Sequence, residues 1–102
     1  MEEITIYFIY AKDCHDCEDM KSTLLDILEE KGINKYNFIE ISSDNEAAID
    51  LAIENDIDDI PACIIGNFSF CGKKGWTYDD LESAIEKTLE ENNESNRNSR
   101  EY

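Results

Sequence analysis

Ile4-Thr5-Ile6-Tyr7-Phe8-Ile9-Tyr10-Ala11-Lys12-Asp13-Cys14-His15-Asp16-Cys17 is the stretch from which the rest of the chain can be read. Residues 4–10 are apolar almost throughout, with Thr5 the one clear break, as expected of a central strand covered on both faces. Beyond them Cys17, Met20, Leu24, Ile27, Leu28 and Lys31 follow helical spacing, and Gly32 is a helix stop. The pattern predicts a helix from Glu18 to about Lys31, packed on the sheet through Met20, Leu24, Ile27 and Leu28. A Cys-x-x-Cys therefore falls between a strand and the first turn of a helix, where unpaired N–H groups and partial positive charge favour a thiolate. Cys14 reads as the nucleophile. Cys17, one turn further in, reads as the thiol that closes a disulfide back onto it.

Outward from this unit, Asn37 to Ile41 predicts a second strand, so the first forty residues or so form a β-α-β unit with a parallel pair. Ser43-Asp44-Asn45-Glu46 has the form of a capping box, with the serine accepting and the glutamate reaching back, and predicts a helix from about Asp44 to Asn55. Its inner side carries Ala48, Leu51 and Ala52. Pro61, the only proline, ends the loop that follows.

Ala62-Cys63-Ile64-Ile65 and Phe68-Ser69-Phe70-Cys71 flank Gly66-Asn67, a two-residue hairpin signal. In that register residue 65 faces 68 and residue 63 faces 70. Cys63 then shares a face with Ile65, Phe68 and Phe70, and Cys71 shares the other with Ala62, Ile64 and Ser69. Both read as structural thiols that cannot bond each other, Cys63 as a small buried hydrophobe. Thr77-Tyr78-Asp79-Asp80 is a second capping pattern, and Leu81, Ala84, Ile85 and Leu89 mark a third helix. Residues 92–102 have almost nothing apolar to bury, which predicts a single domain over 1–91 and a disordered polar tail.

Nine basic against twenty-five acidic residues give a formal charge of −16, which argues against nucleic acid or an anionic membrane surface as partner. No window approaches transmembrane length, and Met1-Glu2-Glu3 carries acid where a signal peptide carries base. A cytoplasmic monomer is the expectation. In reducing cytosol the four cysteines read as redox, metal or buried thiols.

The order β-α-β-α-β-β-α, with Cys-x-x-Cys after the first strand and Ile60-Pro61 before the third, resembles the thioredoxin-like superfamily over roughly residues 3–90. The length is closer to its minimal glutaredoxin-like form than to full thioredoxin, which carries an extra βα unit at the front. The resemblance implies an α/β fold with a four-stranded mixed sheet and helices on both faces. It also implies that Pro61 is a cis-proline opposite the cysteines and that the backbone of Ile60 pairs with an extended substrate.

The departures are specific. The residue before the motif is Asp13 and the intervening pair is His15-Asp16, not the thioredoxin Trp-Cys-Gly-Pro-Cys. The buried aspartate that thioredoxins carry six residues before the nucleophile falls at Phe8. Gly72, Gly75, Asp79 and Asp80 are similar to the glutathione-binding region of glutaredoxins, where an aspartate holds the glutathione amine, but the Gly-Gly pattern is missing.

The implied activity is thiol–disulfide exchange on protein disulfides, with Cys14 and Cys17 catalytic and Ile60, Pro61, His15, Lys12, Trp76, Asp79 and Asp80 as candidate substrate-binding residues. His15 as an imidazolium would favour the Cys14 thiolate, while Asp13, Asp16, Glu18 and Asp19 oppose it. Lys73 and Lys74 read as a solvated turn, or else as a carboxylate anchor beside the groove. The chain offers no flavin or nucleotide fingerprint, so no cofactor beyond the redox-active disulfide is expected. The reductant is then external, a thioredoxin reductase-like flavoprotein or glutathione. Two alternatives stay open: a glutathione-dependent glutaredoxin, and a non-catalytic metal-binding or scaffold domain of the same fold. A zinc site would need two ligands besides Cys14 and Cys17, and Cys63 and Cys71 face opposite ways.

Overall fold

The computed structural model describes residues 4–72 and 76–101, those from 92 onward as backbone only. The apolar run at the front forms β1 (Ile4–Tyr10), and the helix behind the cysteines is α1 (His15–Glu30). Next come β2 (Tyr36–Ser42), α2 (Glu46–Glu54), β3 (Ala62–Ile65), β4 (Phe68–Cys71) and α3 (Tyr78–Glu101). The sheet order is β2-β1-β3-β4, with β1 parallel to β2 and antiparallel to β3, and β4 antiparallel to β3. This is the mixed four-stranded sheet that the resemblance implies.

The two faces of β1 sort the helices. Ile4, Ile6 and Phe8 point into the main core with Met20, Leu24, Ile27 and Leu28 of α1, Cys63 and Ile65 of β3, and Leu81, Ala84 and Ile85 of α3. Ile9 points the other way, into a smaller cluster with Ala48 of α2 and Ala62. Helices α1 and α3 thus cover one face and α2 the other. Ile60 packs against both clusters at the point where the chain enters β3.

Helix α1 stops as the glycine signal predicts. Gly32 takes φ +68°, its N–H donates to Glu29 O, and the N–H of Ile33 donates to Leu28 O, the paired bonds of a Schellman ending. The hairpin register is also the predicted one, Ile65 opposite Phe68 and Cys63 opposite Phe70. Its turn residue Gly66 has φ +59°, and a Cβ there would lie 2.6 Å from Thr88 Oγ1. Thr88 is buried on α3 and donates to Ala84 O at 2.7 Å. The tip of the hairpin is therefore seated directly on α3.

Two expectations need correction. The cap of α2 is Asn45, whose Oδ1 accepts from Ala47 N–H at 2.9 Å. Ser43 is not the cap, because its N–H still continues the sheet by donating to Tyr10 O at 2.8 Å. The serine is consumed by the strand, and the helix begins two residues later than the pattern suggested. Second, α3 does not end at Glu91. Helical backbone runs on to Glu101 through the stretch read as a disordered tail. Once a helix is nucleated against a core, each added residue gains a hydrogen bond for fixing one pair of dihedrals, so polar composition alone does not terminate it.

The loop containing Lys73, Lys74 and Gly75, with the anchor reading attached to it, lies outside the described residues. Among the described residues no helix is long and apolar enough to cross a membrane.

Candidate active site

Strand β1 ends at Tyr10, and a turn through Lys12 and Asp13 hands the chain to α1. Asp13 takes φ +52°, a left-handed conformation that Asp tolerates better than most residues. The helix then opens at Cys14 itself, which is the N-cap with extended φ/ψ. The boundary sits three residues earlier than the hydrophobic pattern indicated, because the first turn holds His15 and Asp16, which leave no apolar trace. Cys14 and Cys17 are joined by a disulfide, their Cα atoms 5.2 Å apart. The Cys17 N–H donates to Cys14 Sγ at 3.1 Å, so the sulfur takes the place an N-cap oxygen usually fills.

The two sulfurs sit in different surroundings. Cys17 is 4 % exposed and belongs to the main core. Cys14 is half-buried at its edge. Both line a cavity of about 420 Å³ beside the helix start, together with Tyr10, His15, Lys21 and Glu40.

The Ile60–Pro61 peptide bond is cis. Because Ile9 pairs with Ala62, the end of β1 and the start of β3 meet at one end of the sheet, and the Pro61 loop adjoins the loop that carries Cys14. That loop is held from both sides. Ile60 N–H donates to Asp59 Oδ1 at 2.8 Å, and Pro61 O accepts from Gly72 N–H at 2.8 Å.

The remaining candidates divide. The His15 side chain is 100 % exposed, with Nδ1 4.0 Å from Glu18 Oε2. Lys12 is exposed in the turn and is not part of the cavity wall. Trp76 is half-buried against the main core, with its Nε1 buried and lacking a hydrogen-bond partner among the described residues. Asp80 closes a reciprocal cap at the start of α3. Its Oδ2 accepts from Thr77 N–H at 3.1 Å, and its N–H donates to Thr77 Oγ1 at 3.2 Å. Asp79 is exposed beside it. Neither aspartate lines the cavity at the cysteines.

Sequence reasoning passed over Lys21 and Glu40, which form an ion pair at 2.8 Å across α1 and β2. The available signal was the spacing of Lys21, four residues after Cys17 and hence on the same side of the helix. Nothing local marks Glu40, whose place depends on the parallel register that sets it beside Phe8.

The other cysteines are free and, as predicted, on opposite faces. Burial pushes the Cys63 thiol up to about 12, with the charge of Cys71 adding to the effect. Cys71 Sγ lies 3.9 Å from Asp58 Oδ1. Among the described residues no three or more His, Cys, Asp or Glu side chains gather as a metal-ligating group.

A mixed sheet of this order with a Cys-x-x-Cys at the head of α1 defines a thioredoxin-like fold. Solved structures agree. An uncharacterized thioredoxin-like protein from Clostridium perfringens superposes with a TM-score of 0.66 at 22 % identity, over 86 % of this chain and 73 % of that one. Oxidized mitochondrial thioredoxin 3 of Saccharomyces cerevisiae gives 0.60 at 18 % identity, over 85 % and 80 %. Oxidised thioredoxin of Plasmodium falciparum gives 0.57 at 18 % identity, over 86 % and 83 %. No protein-family model matches the sequence, and neither does any curated protein.

Proposed function

We propose that the chain is a thiol–disulfide oxidoreductase that reduces protein disulfides through Cys14 and Cys17. The observation that carries this is the asymmetric disulfide at the start of α1, with one sulfur at the helix N-cap and reachable, the other in the core. In the reduced protein the Cys14 thiolate attacks one sulfur of a substrate disulfide. That S–S bond breaks, its other sulfur leaves as a thiolate, and a mixed disulfide forms. The Cys17 thiolate then attacks Cys14 Sγ and expels the second substrate thiolate. Two electrons have passed to the substrate, and Cys14–Cys17 is left oxidised.

In this reading an extended substrate lies along Ile60 and Pro61, at the entry to β3, although neither lines the cavity at the cysteines. With the Ile60 N–H already donated to Asp59, the group left to pair with that substrate is the Ile60 carbonyl, unless Asp59 is displaced. Resetting the disulfide needs an external reductant. Thioredoxin f2 has been solved in complex with ferredoxin:thioredoxin reductase, and a yeast study concerns thiol resolution of mitochondrial 1-Cys peroxiredoxin through glutathione/thioredoxin systems. A thioredoxin reductase-like flavoprotein is the partner we assign. Glutathione is the weaker choice, because Asp80 already serves the α3 cap.

Insulin-disulfide reduction tests the reading, run separately with dithiothreitol, with glutathione and its reductase, and with a flavoprotein thioredoxin reductase. We expect turnover that Cys14→Ser abolishes. No turnover with any reductant would overturn it, and efficient turnover with glutathione alone would move the chain to the glutaredoxin side.

A further inference from the structure

Cys17 must lose its proton before it can attack the mixed disulfide, yet it is buried among apolar residues, and the β1 side chain beneath it is Phe8, which accepts nothing. Its access to a base is the cavity it shares with Cys14. Across that cavity stands the Lys21–Glu40 pair. Lys21 comes from the Cys17 side of α1, and its ammonium reaches Glu40 on β2 at 2.8 Å. Glu40 is the register partner of Phe8 and has the parity of Phe38, so it projects on the face covered by α1. The two side chains are 41 % and 42 % exposed, which places the pair at the cavity mouth.

We propose that Glu40 is the proton acceptor for Cys17, working through water in the cavity, and that Lys21 is the positioning residue that holds the carboxylate there. The inference rests on the oxidoreductase reading above. A cavity of about 420 Å³ with polar groups on its wall has room for the bridging water. In the mixed disulfide the Cys17 thiol gives its proton, via that water, to the Glu40 carboxylate. The resulting thiolate attacks Cys14 Sγ, the bond from Cys14 to the substrate sulfur breaks, and the departing thiolate takes the proton back.

Other titratable groups face the same space. Tyr10 comes from β1, Asp13 and His15 from the turn and helix start, and Glu18 from α1. Glu18 is the rival carboxylate, but its side chain is 81 % exposed and turned toward His15. Asp13 is exposed in the turn. The third element against β2, α2, covers the opposite face and adds no group to the cavity.

Stopped-flow reaction of the reduced protein with Ellman's reagent separates the steps, in a Cys71→Ser background that removes the half-buried free thiol. The first thionitrobenzoate reports attack by Cys14, the second its displacement by Cys17. At neutral pH we expect Glu40→Gln not to slow the first phase and to slow the second about tenfold, below the range usual for fully enclosed acid–base groups. The deficit should shrink as pH rises and hydroxide takes over removal of the proton. Glu40→Asp should recover part of the rate, Lys21→Met should slow the second phase, and Glu18→Gln should not slow the second phase. Thermal melts establish that each variant folds, and Lys21→Met decides the matter if Glu40→Gln does not. A second phase whose pH profile is the same in Glu40→Gln and Lys21→Met as in wild type overturns the proposal, as does a loss that follows Glu18→Gln instead. A wild type with no first phase at all overturns the oxidoreductase reading itself.

Discussion

The backbone N–H of Cys17 points at the sulfur of Cys14 from 3.1 Å, so that sulfur is held by the first turn of the helix it caps. The same N–H remains available to a thiolate once the disulfide is reduced, and hydrogen bonding to the charged form favours it. Reduced protein treated with substoichiometric iodoacetamide near neutral pH should carry the label chiefly on Cys14. Equal labelling of Cys17, or dominance of Cys63, would contradict the assignment.

Cys63 and Cys71 should never be found joined in the native protein. They occupy opposite faces of the hairpin, which holds their Cβ vectors apart. In the native oxidised protein at neutral pH, Cys63 is the thiol least able to react, since burial pushes its pKa up to about 12. Mass mapping should show a Cys14–Cys17 link, slow alkylation at Cys71 and none at Cys63 until denaturant is added. An abundant Cys63–Cys71 peptide would mean the register is wrong.

The reassigned cap of α2 separates two neighbouring polar residues. Asn45→Ala removes the acceptor for Ala47 N–H and should cost about 1 kcal/mol of unfolding free energy. Ser43→Ala, whose hydroxyl does not cap the helix, should stay within about 0.5 kcal/mol of wild type. Urea titrations of the two variants check this, and the reverse order would restore the capping-box reading.

Tyr78 Oη donates to Glu30, tying the start of α3 to the end of α1. That bond, with smaller contributions from burial and from the charges of Glu30, Glu82 and Asp26, pushes the Tyr78 pKa from about 10 up to about 12. A phenol whose folded pKa is raised stabilises the fold fully below the unfolded value. The contribution is lost as pH climbs from about 10 to about 12, where the unfolded chain gives up the proton and the native one keeps it. Ultraviolet titration should show one of the five tyrosines ionising late, and Tyr78→Phe should remove that component. A Tyr78→Phe titration that superimposes on wild type refutes it.

The parts of the fold legible in the sequence are those set by periodicity and by turn chemistry. Alternation about Gly66-Asn67 gave the faces of Cys63 and Cys71, and helical spacing gave the buried side of α1, Cys17, Met20, Leu24, Ile27 and Leu28. Competition between elements was not legible. Ser43 fits a cap pattern but is claimed by the parallel ladder through Tyr10 O, and only the three-dimensional register settles which use prevails. At the site, the cysteines were visible because their spacing is local. Glu40 was not, since it reaches the cavity only through β1–β2 pairing and an ion pair from another element. Asp80 illustrates the converse. Its pattern fits either a cap or a ligand site, and the structure uses it as the cap.

Hairpin tips are the usual first choice for inserting a tag, a reporter or a second domain, because most project into solvent. Here that choice is a poor one. With Thr88 of α3 directly beneath Gly66, residues added at the tip would pry β3 and β4 off the helix, and β3 leads straight back to Pro61 beside the cysteines. The turn at Gly32 is the tolerant alternative: a Cβ there meets nothing within 4 Å, and the opposite end of α1 carries the redox pair. An engineered fusion placed after Gly32 keeps its cargo a full helix length from the disulfide.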